Sequence, residues 1–218
     1  MSECCTPKGY RKVFNEKSAR KEAKNYRHKG LDATSRSIVD LLRNRGIDRR
    51  TVLEVGGGIG AIQIELLKAG AAKAVSVELT PTYEAAAAEL IREAGLEHQV
   101  ERRLMDFAEN GQEVDPADIV VMNRVICCYP DMAKLAGVAA DHALEVLVMT
   151  FPKETWWIRL VLSVANLGFR VARREFQVFV YSPQQIVATS ERHGLRETVN
   201  QSGFFWQMIA MERVGSPA

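Results

Sequence analysis

Residues 52–61 read VLEVGGGIGA, with an acid, Glu54, inside an apolar run and glycines at 56, 58 and 60 just beyond it. Glycine turns tightly and lets backbone approach a ligand closely, so such a run between a strand and a helix makes a cradle for a cofactor. Glu78 lies twenty residues after Gly58, at the end of AVSVE and just before Leu79. A carboxylate there can accept hydrogen bonds from ribose hydroxyls. Gly56, Gly58 and Ala61 with Glu78 also satisfy the dinucleotide spacing. That spacing leaves open a nicotinamide-binding oxidoreductase, and a noncatalytic module that only retains the loop is a further reading.

A second group of reactive types sits in NRVICCYPD, residues 123–131, where Asn123, Cys127, Cys128 and Tyr129 follow an apolar run. Ligands of open parallel sheets sit beyond the carboxyl ends of the strands, so this segment is expected to border the reacting centre. The chain has four cysteines in two vicinal pairs, Cys4 with Cys5 and Cys127 with Cys128. Paired thiols suit soft ions such as zinc, mercury or trivalent arsenic, if the fold brings the pairs together. The plainer reading makes them small packing residues.

These residues need a scaffold. At 218 residues, with 47% hydrophobic and 26% charged, the chain suits one globular domain with an N-terminal extension. The expected division is a basic helical extension or lid over 1–34 and a main domain over 35–218. Residues 8–29 carry nine Lys or Arg against Glu16 and Glu22. Such a run reads first as a solvated helix face, second as a wall facing an anionic substrate. Nucleic acid is disfavoured because no aromatic interleaving accompanies the charge. The start lacks the apolar stretch of a signal peptide and no run approaches the roughly 20 residues of a membrane span. A cytoplasmic protein is expected.

From residue 51, short apolar runs (TVLEV, AVSV, IVVM, EVLVM) alternate with helical stretches over 61–69, 82–94 and 131–143. That alternation predicts an α/β fold with parallel strands and crossover helices. After a helix over 183–193, GLRETVNQ and FFWQMIAMER are separated only by a tight SG turn, so these two strands are expected to be antiparallel.

The order of these features, with Met105, Asp106 and Phe107 closing the third strand region, resembles the class I S-adenosylmethionine-dependent methyltransferases over about residues 35–213. The resemblance implies a Rossmann-like sheet, mostly parallel with a C-terminal antiparallel hairpin, and S-adenosylmethionine as cofactor. Glu54, Gly56, Gly58 and Gly60 would lie against its methionine end, Glu78 with Leu79 at the ribose, and Asp106 with Phe107 at the adenine. Asn123 would complete that site. The extension would cap it, with Phe14 and Tyr26 closing over a small-molecule acceptor, and Cys128 and Tyr129 would stand at the reaction. VICCYPD, FPKETWW and FQVFVYSPQQI more narrowly resemble the magnesium-protoporphyrin O-methyltransferases, which esterify a porphyrin propionate. In those enzymes a histidine usually precedes the Tyr-Pro pair, where this chain has Cys128.

Overall fold

The structure, a computed structural model, describes residues 7–215. Its centre is a seven-stranded sheet in the order β3-β2-β1-β4-β5-β7-β6. Strands β1 (Thr51–Val55), β2 (Lys73–Glu78), β3 (Val100–Leu104), β4 (Ala117–Asn123) and β5 (Ala143–Pro152) pair in parallel. Strands β6 (Leu195–Ser202) and β7 (Trp206–Arg213) form a hairpin, with β7 inserted antiparallel beside β5. The chain winds outward from β1 to β2 and β3, then returns to place β4 on the other flank of β1. The connections diverge there and open a crevice at the carboxyl ends of the two strands.

The central strands are apolar on both faces because both are covered. On one face Leu53, Val120, Leu147 and Ile209 pack with Leu135 and Ala139 of α7 (Met132–His142) and Ile186 of α9 (Pro183–Arg192). On the other, Val52, Val121 and Val148 meet Ile38 and Leu42 of α3 (Ala33–Asn44) and Ile62 and Leu66 of α4 (Ala61–Lys68). Before α3 come α1 (Pro7–Val13) and α2 (Glu16–Lys29). Asn15 caps α2 by accepting from the Ser18 amide, at 3.1 Å. Ala19 and Ala23 are buried against Tyr83 and the apolar face of α5 (Glu84–Glu93). Their small size lets the two helices approach. The basic residues of α2 face outward, Arg27 pairing with Glu89 and Glu93 on α5.

Two expectations about elements change. The helix expected over 82–94 opens with a 3-10 turn, Pro81–Tyr83, because proline fits a helical first turn but gives no amide donor. Phe204 and Phe205 belong to the turn rather than to β7: the Gly203 amide closes onto the Trp206 carbonyl at 2.8 Å, and Phe204 projects into solvent.

Strand β3 reads VERRL, without the apolar run of its neighbours, because it lies at the sheet edge. Its Arg102 is nonetheless almost buried and reaches three elements. It pairs with Glu84 at 2.7 Å, donates to Ser76 Oγ at 3.2 Å, and donates to the Gly58 carbonyl at 3.1 Å. Removing one partner of a buried ion pair costs about 3–5 kcal/mol, much of it from the charge left behind. We therefore expect Arg102→Met to lose about 3 kcal/mol in urea unfolding, and added Glu84→Gln to restore part of it. A loss below about 1 kcal/mol would show that this tie carries little of the stability.

Candidate functional site

The loop after β1 is bound into the sheet before any ligand arrives. The Gly56 amide donates to the Val77 carbonyl at 2.8 Å. Gly56, Gly58 and Gly60 have φ of +65°, +58° and +75°, a region that strains other residues. Space is equally restrictive, since a Cβ on Gly56 would lie 2.7 Å from a Val125 methyl and one on Gly57 2.5 Å from the Glu54 carboxyl carbon. Gly60 is the left-handed residue that starts α4 and does not line the cavity described below.

Two carboxyl groups lie under this loop. Glu78, at the end of β2, accepts a short hydrogen bond from the Gly58 amide. Burial pushes it up to about 7; the Gly58 amide and Arg102 pull it down, while Glu84 and Glu22 add repulsion. Glu54 is fully enclosed and accepts from the Gln63 amide at 3.3 Å. Burial, then the charge of Glu78, push it up to about 8 against the pull of Arg102 and that amide.

A cavity of about 560 Å³ opens above the loop, in the range of small-molecule sites. Glu54, Gly56, Gly58, Glu78, Leu79, Asp106, Phe107, Asn123, Cys128, Tyr129, Phe14 and Tyr26 all line it. Cys127 does not; it is buried beside the turn. Asp106 caps the short helix α6 (Phe107–Asn110) through the Ala108 amide at 3.0 Å, and both its oxygens lie 3.1 Å from the Tyr129 hydroxyl. Burial, then Asp106, raise the Tyr129 phenol, so it stays a neutral donor. Asn123 accepts from Thr150 Oγ1 at 2.7 Å and donates to Ser35 Oγ at 3.2 Å, joining the ends of β4 and β5 to α3.

The Cys127 and Cys128 sulfurs are 3.8 Å apart. That contact, then burial, raises the Cys128 thiol well above its ordinary value and keeps it protonated. A soft ion requires thiolate. Cys4 and Cys5, the other half of the expected ion site, lie outside the described residues. Among the described residues no group of three metal-ligating side chains converges.

Helices α1 and α2 cover the cavity. The Tyr10 hydroxyl donates a short bond to the Cys128 carbonyl, Thr82 Oγ1 donates to the Phe14 carbonyl at 2.6 Å, and the Tyr83 hydroxyl donates to Glu22 at 2.7 Å. Tyr26 lines the wall while its hydroxyl is held by Glu65 at 2.6 Å. Tyr10, Glu22, Tyr83 and Arg124 were not among the residues expected from sequence. Arg124, at φ +63°, pairs with Asp32 at 2.7 Å and lies 4.8 Å over the Trp206 ring, and its buried Nε–H has no partner. Only its position, directly after a strand that ends at the crevice, could have singled it out.

No family model and no curated protein matches this chain. Solved structures do. It is similar to magnesium protoporphyrin IX methyltransferase from Synechocystis PCC 6803 with bound SAH, with 17% identity and a TM-score of 0.74, over 93% of this chain and 97% of that one. It is also similar to an O-methyltransferase family protein from Burkholderia thailandensis, at 19% identity and TM-score 0.67, over 92% of this chain and 63% of that one. A third likeness is to an O-methyltransferase family 2 protein from Planctomyces limnophilus in complex with apigenin, at 18% identity and TM-score 0.66, over 91% and 62%. The chain therefore has the fold of these methyltransferases.

The buried carboxyls fix a sign for the pH dependence of the ligand-free protein. Both titrate above the unfolded value near 4.5, so between that pH and about 8 the folded chain binds more protons than the unfolded one. Their contribution to stability is full below pH 4.5 and is lost as pH rises through 7 and 8. Glu54→Gln is expected to melt several degrees above wild type at about pH 8.5 and close to it at about pH 5, at roughly 2–4 °C per kcal/mol. Parallel melting curves by scanning calorimetry would contradict this.

Proposed function

We propose that the protein is an S-adenosylmethionine-dependent methyltransferase acting on a small-molecule acceptor. The observation that carries this reading is the pair of buried carboxyls beneath the glycine loop. A dinucleotide would bring its pyrophosphate to that loop and need free amides and positive charge. Here the Gly58 amide already serves Glu78, and Glu54 lies behind the backbone, so a diphosphate would lack that donor and would be repelled wherever either carboxyl is ionised. A cation suits the place, and would itself favour the ionised carboxylate.

S-adenosylmethionine brings a methyl group on a sulfonium, which an acceptor lone pair displaces in line. The chain's own residues would hold and exclude. Ionised Glu78 accepts from ribose hydroxyls; Glu54 places a countercharge near the methionine end. Asp106, anchored by Tyr129 and the Ala108 amide, offers its remaining acceptor capacity to an adenine amino group, with Phe107 as the apolar wall. Tyr10 and Phe14 shut the cavity from water and keep the acceptor within attack distance of about 3–3.5 Å.

A carboxylate acceptor is the finer reading, and the wall composition favours it. Among the described lining residues there is no histidine or lysine, and Arg124 is the one cation. Buried His142 is spent on backbone carbonyls, and His193 pairs with Asp141. With Tyr129 and Cys128 held protonated, an acceptor that arrives already ionised needs no general base. The unpartnered Nε–H of Arg124 offers it a donor. The porphyrin-methylating neighbour supports the same choice.

We expect Glu78→Ala to weaken S-adenosylmethionine binding by about 1.5–3 kcal/mol, the worth of hydrogen bonds to a charged acceptor. Calorimetry with S-adenosylmethionine and NAD decides: unchanged affinity for the first, or measurable affinity for the second, would sink the assignment. Gly58→Val should abolish turnover in a chain that still folds, since a branched side chain at positive φ fills the cradle. In an acceptor screen followed by S-adenosylhomocysteine release, carboxylates should lead. Arg124→Gln should raise their KM about tenfold while leaving cofactor affinity unchanged. A phenol or amine as best acceptor would overturn the carboxylate reading alone.

A further inference from the structure

Helix α8 (Trp156–Val171) stands apart from the chemistry and from the core. Of its sixteen residues only Ile158 is fully buried, although the sequence WWIRLVLSVANLGFRV is apolar nearly throughout. Trp156, Leu160, Val164, Leu167 and Val171 recur at helical spacing and form one stripe, each at least half exposed, with Trp156 at 78% and Val171 at 76%. The stripe continues beyond the helix. Phe204, at the tip of the β6-β7 turn and 86% exposed, lies against Trp157 with ring centroids 5.1 Å apart.

Its flank is basic. Arg159 and Arg170 each follow a stripe residue by three positions, Trp156 and Leu167, and so share one edge of the stripe. Across residues 153–175 there are five cations, Lys153, Arg159, Arg170, Arg173 and Arg174, against Glu154 and Glu175. Glu154 pairs with Arg159, and the span as a whole remains at +3. An exposed apolar stripe with an arginine edge and tryptophan and phenylalanine at its end has the composition of a helix that lies in a bilayer interface. Among the described residues no helix is long and apolar enough to cross a membrane, so this one could only lie along it.

We infer that α8 and the Phe204 turn dock the protein onto an anionic lipid surface. A second copy of the chain is the disfavoured occupant. An antiparallel two-fold contact would set the Arg159 and Arg170 edge against its own image, where like charges oppose it, whereas anionic headgroups answer that edge directly. Phe169 of α8 packs on Phe176 at 5.3 Å, and Phe176 packs on Tyr10 and Phe14, both of which line the cavity, at 5.5 Å each.

The test is co-sedimentation of the whole protein with vesicles of phosphatidylcholine containing about one third phosphatidylglycerol. We expect binding at least about tenfold stronger than to pure phosphatidylcholine, weakened by salt, with a blue shift of tryptophan fluorescence. Leu160→Glu with Val164→Glu should abolish binding, and Arg170→Glu with Arg173→Glu should remove the preference for anionic lipid. All four positions are exposed, so melting temperatures should stay at the wild-type value. Failure of the wild type to sediment, or sedimentation unaffected by either double variant, would overturn the inference. So would a wild-type dimer that the Leu160/Val164 variant splits while neither form binds vesicles.

Discussion

A backbone amide held against a buried carboxylate, Gly58 against Glu78, is the contact on which the rest of the site depends. It fixes the height of the glycine loop above the sheet, and the left-handed residues on either side of it follow from that height. Arg102 holds the same residue from its carbonyl side. One residue of the loop is thus gripped at both ends by a carboxylate and a guanidinium from neighbouring strands. Low dielectric strengthens such contacts and makes each costly to leave half-made.

That arrangement divides the work between sheet and cap. The sheet supplies carboxyl groups that cannot move, because Glu54 and Glu78 sit at or beside strand ends with the core behind them. The cap supplies surface that touches the cavity through a few side chains, Tyr10, Phe14, Glu22 and Tyr26. The hydrogen bonds of these four residues to Cys128, Thr82, Tyr83 and Glu65 run to turns and helices rather than to a strand. Enclosing the site therefore requires no change in strand pairing.

Much of this was legible in the sequence, for physical reasons that differ from residue to residue. The glycines announced the loop because few other residues tolerate its backbone, and Glu78 stood out because an acid closing a buried strand needs a partner. The antiparallel hairpin followed from a link too short to cross over. Strand β3 was obscured because an edge strand needs no apolar run, and with it Arg102, whose partners come from three separate elements. Tyr129 reads as a reacting group from its place after β4; in the fold its hydroxyl faces Asp106 across the cavity wall, a contact that nothing local in the sequence marks. Arg124 escaped notice because nothing local marks an arginine that works through Asp32 and Trp206, far away in the chain. The Phe204 turn was taken into a strand because its aromatic residues have high strand propensity, which the geometry of the turn overrides.

The placement of β7 between β5 and β6 has a consequence for how the chain is assembled in time. Strand β5 pairs with β4 along one edge, while its other edge is satisfied only by residues 206–213. The two partners are separated by α8, α9 and β6, so closing them is a long-range event that local structure cannot anticipate. During synthesis the middle of the sheet therefore emerges with an open, apolar strand edge. It stays open until about sixty further residues have left the ribosome. The hairpin that looks like an appendage in the strand order is the piece that seals the sheet.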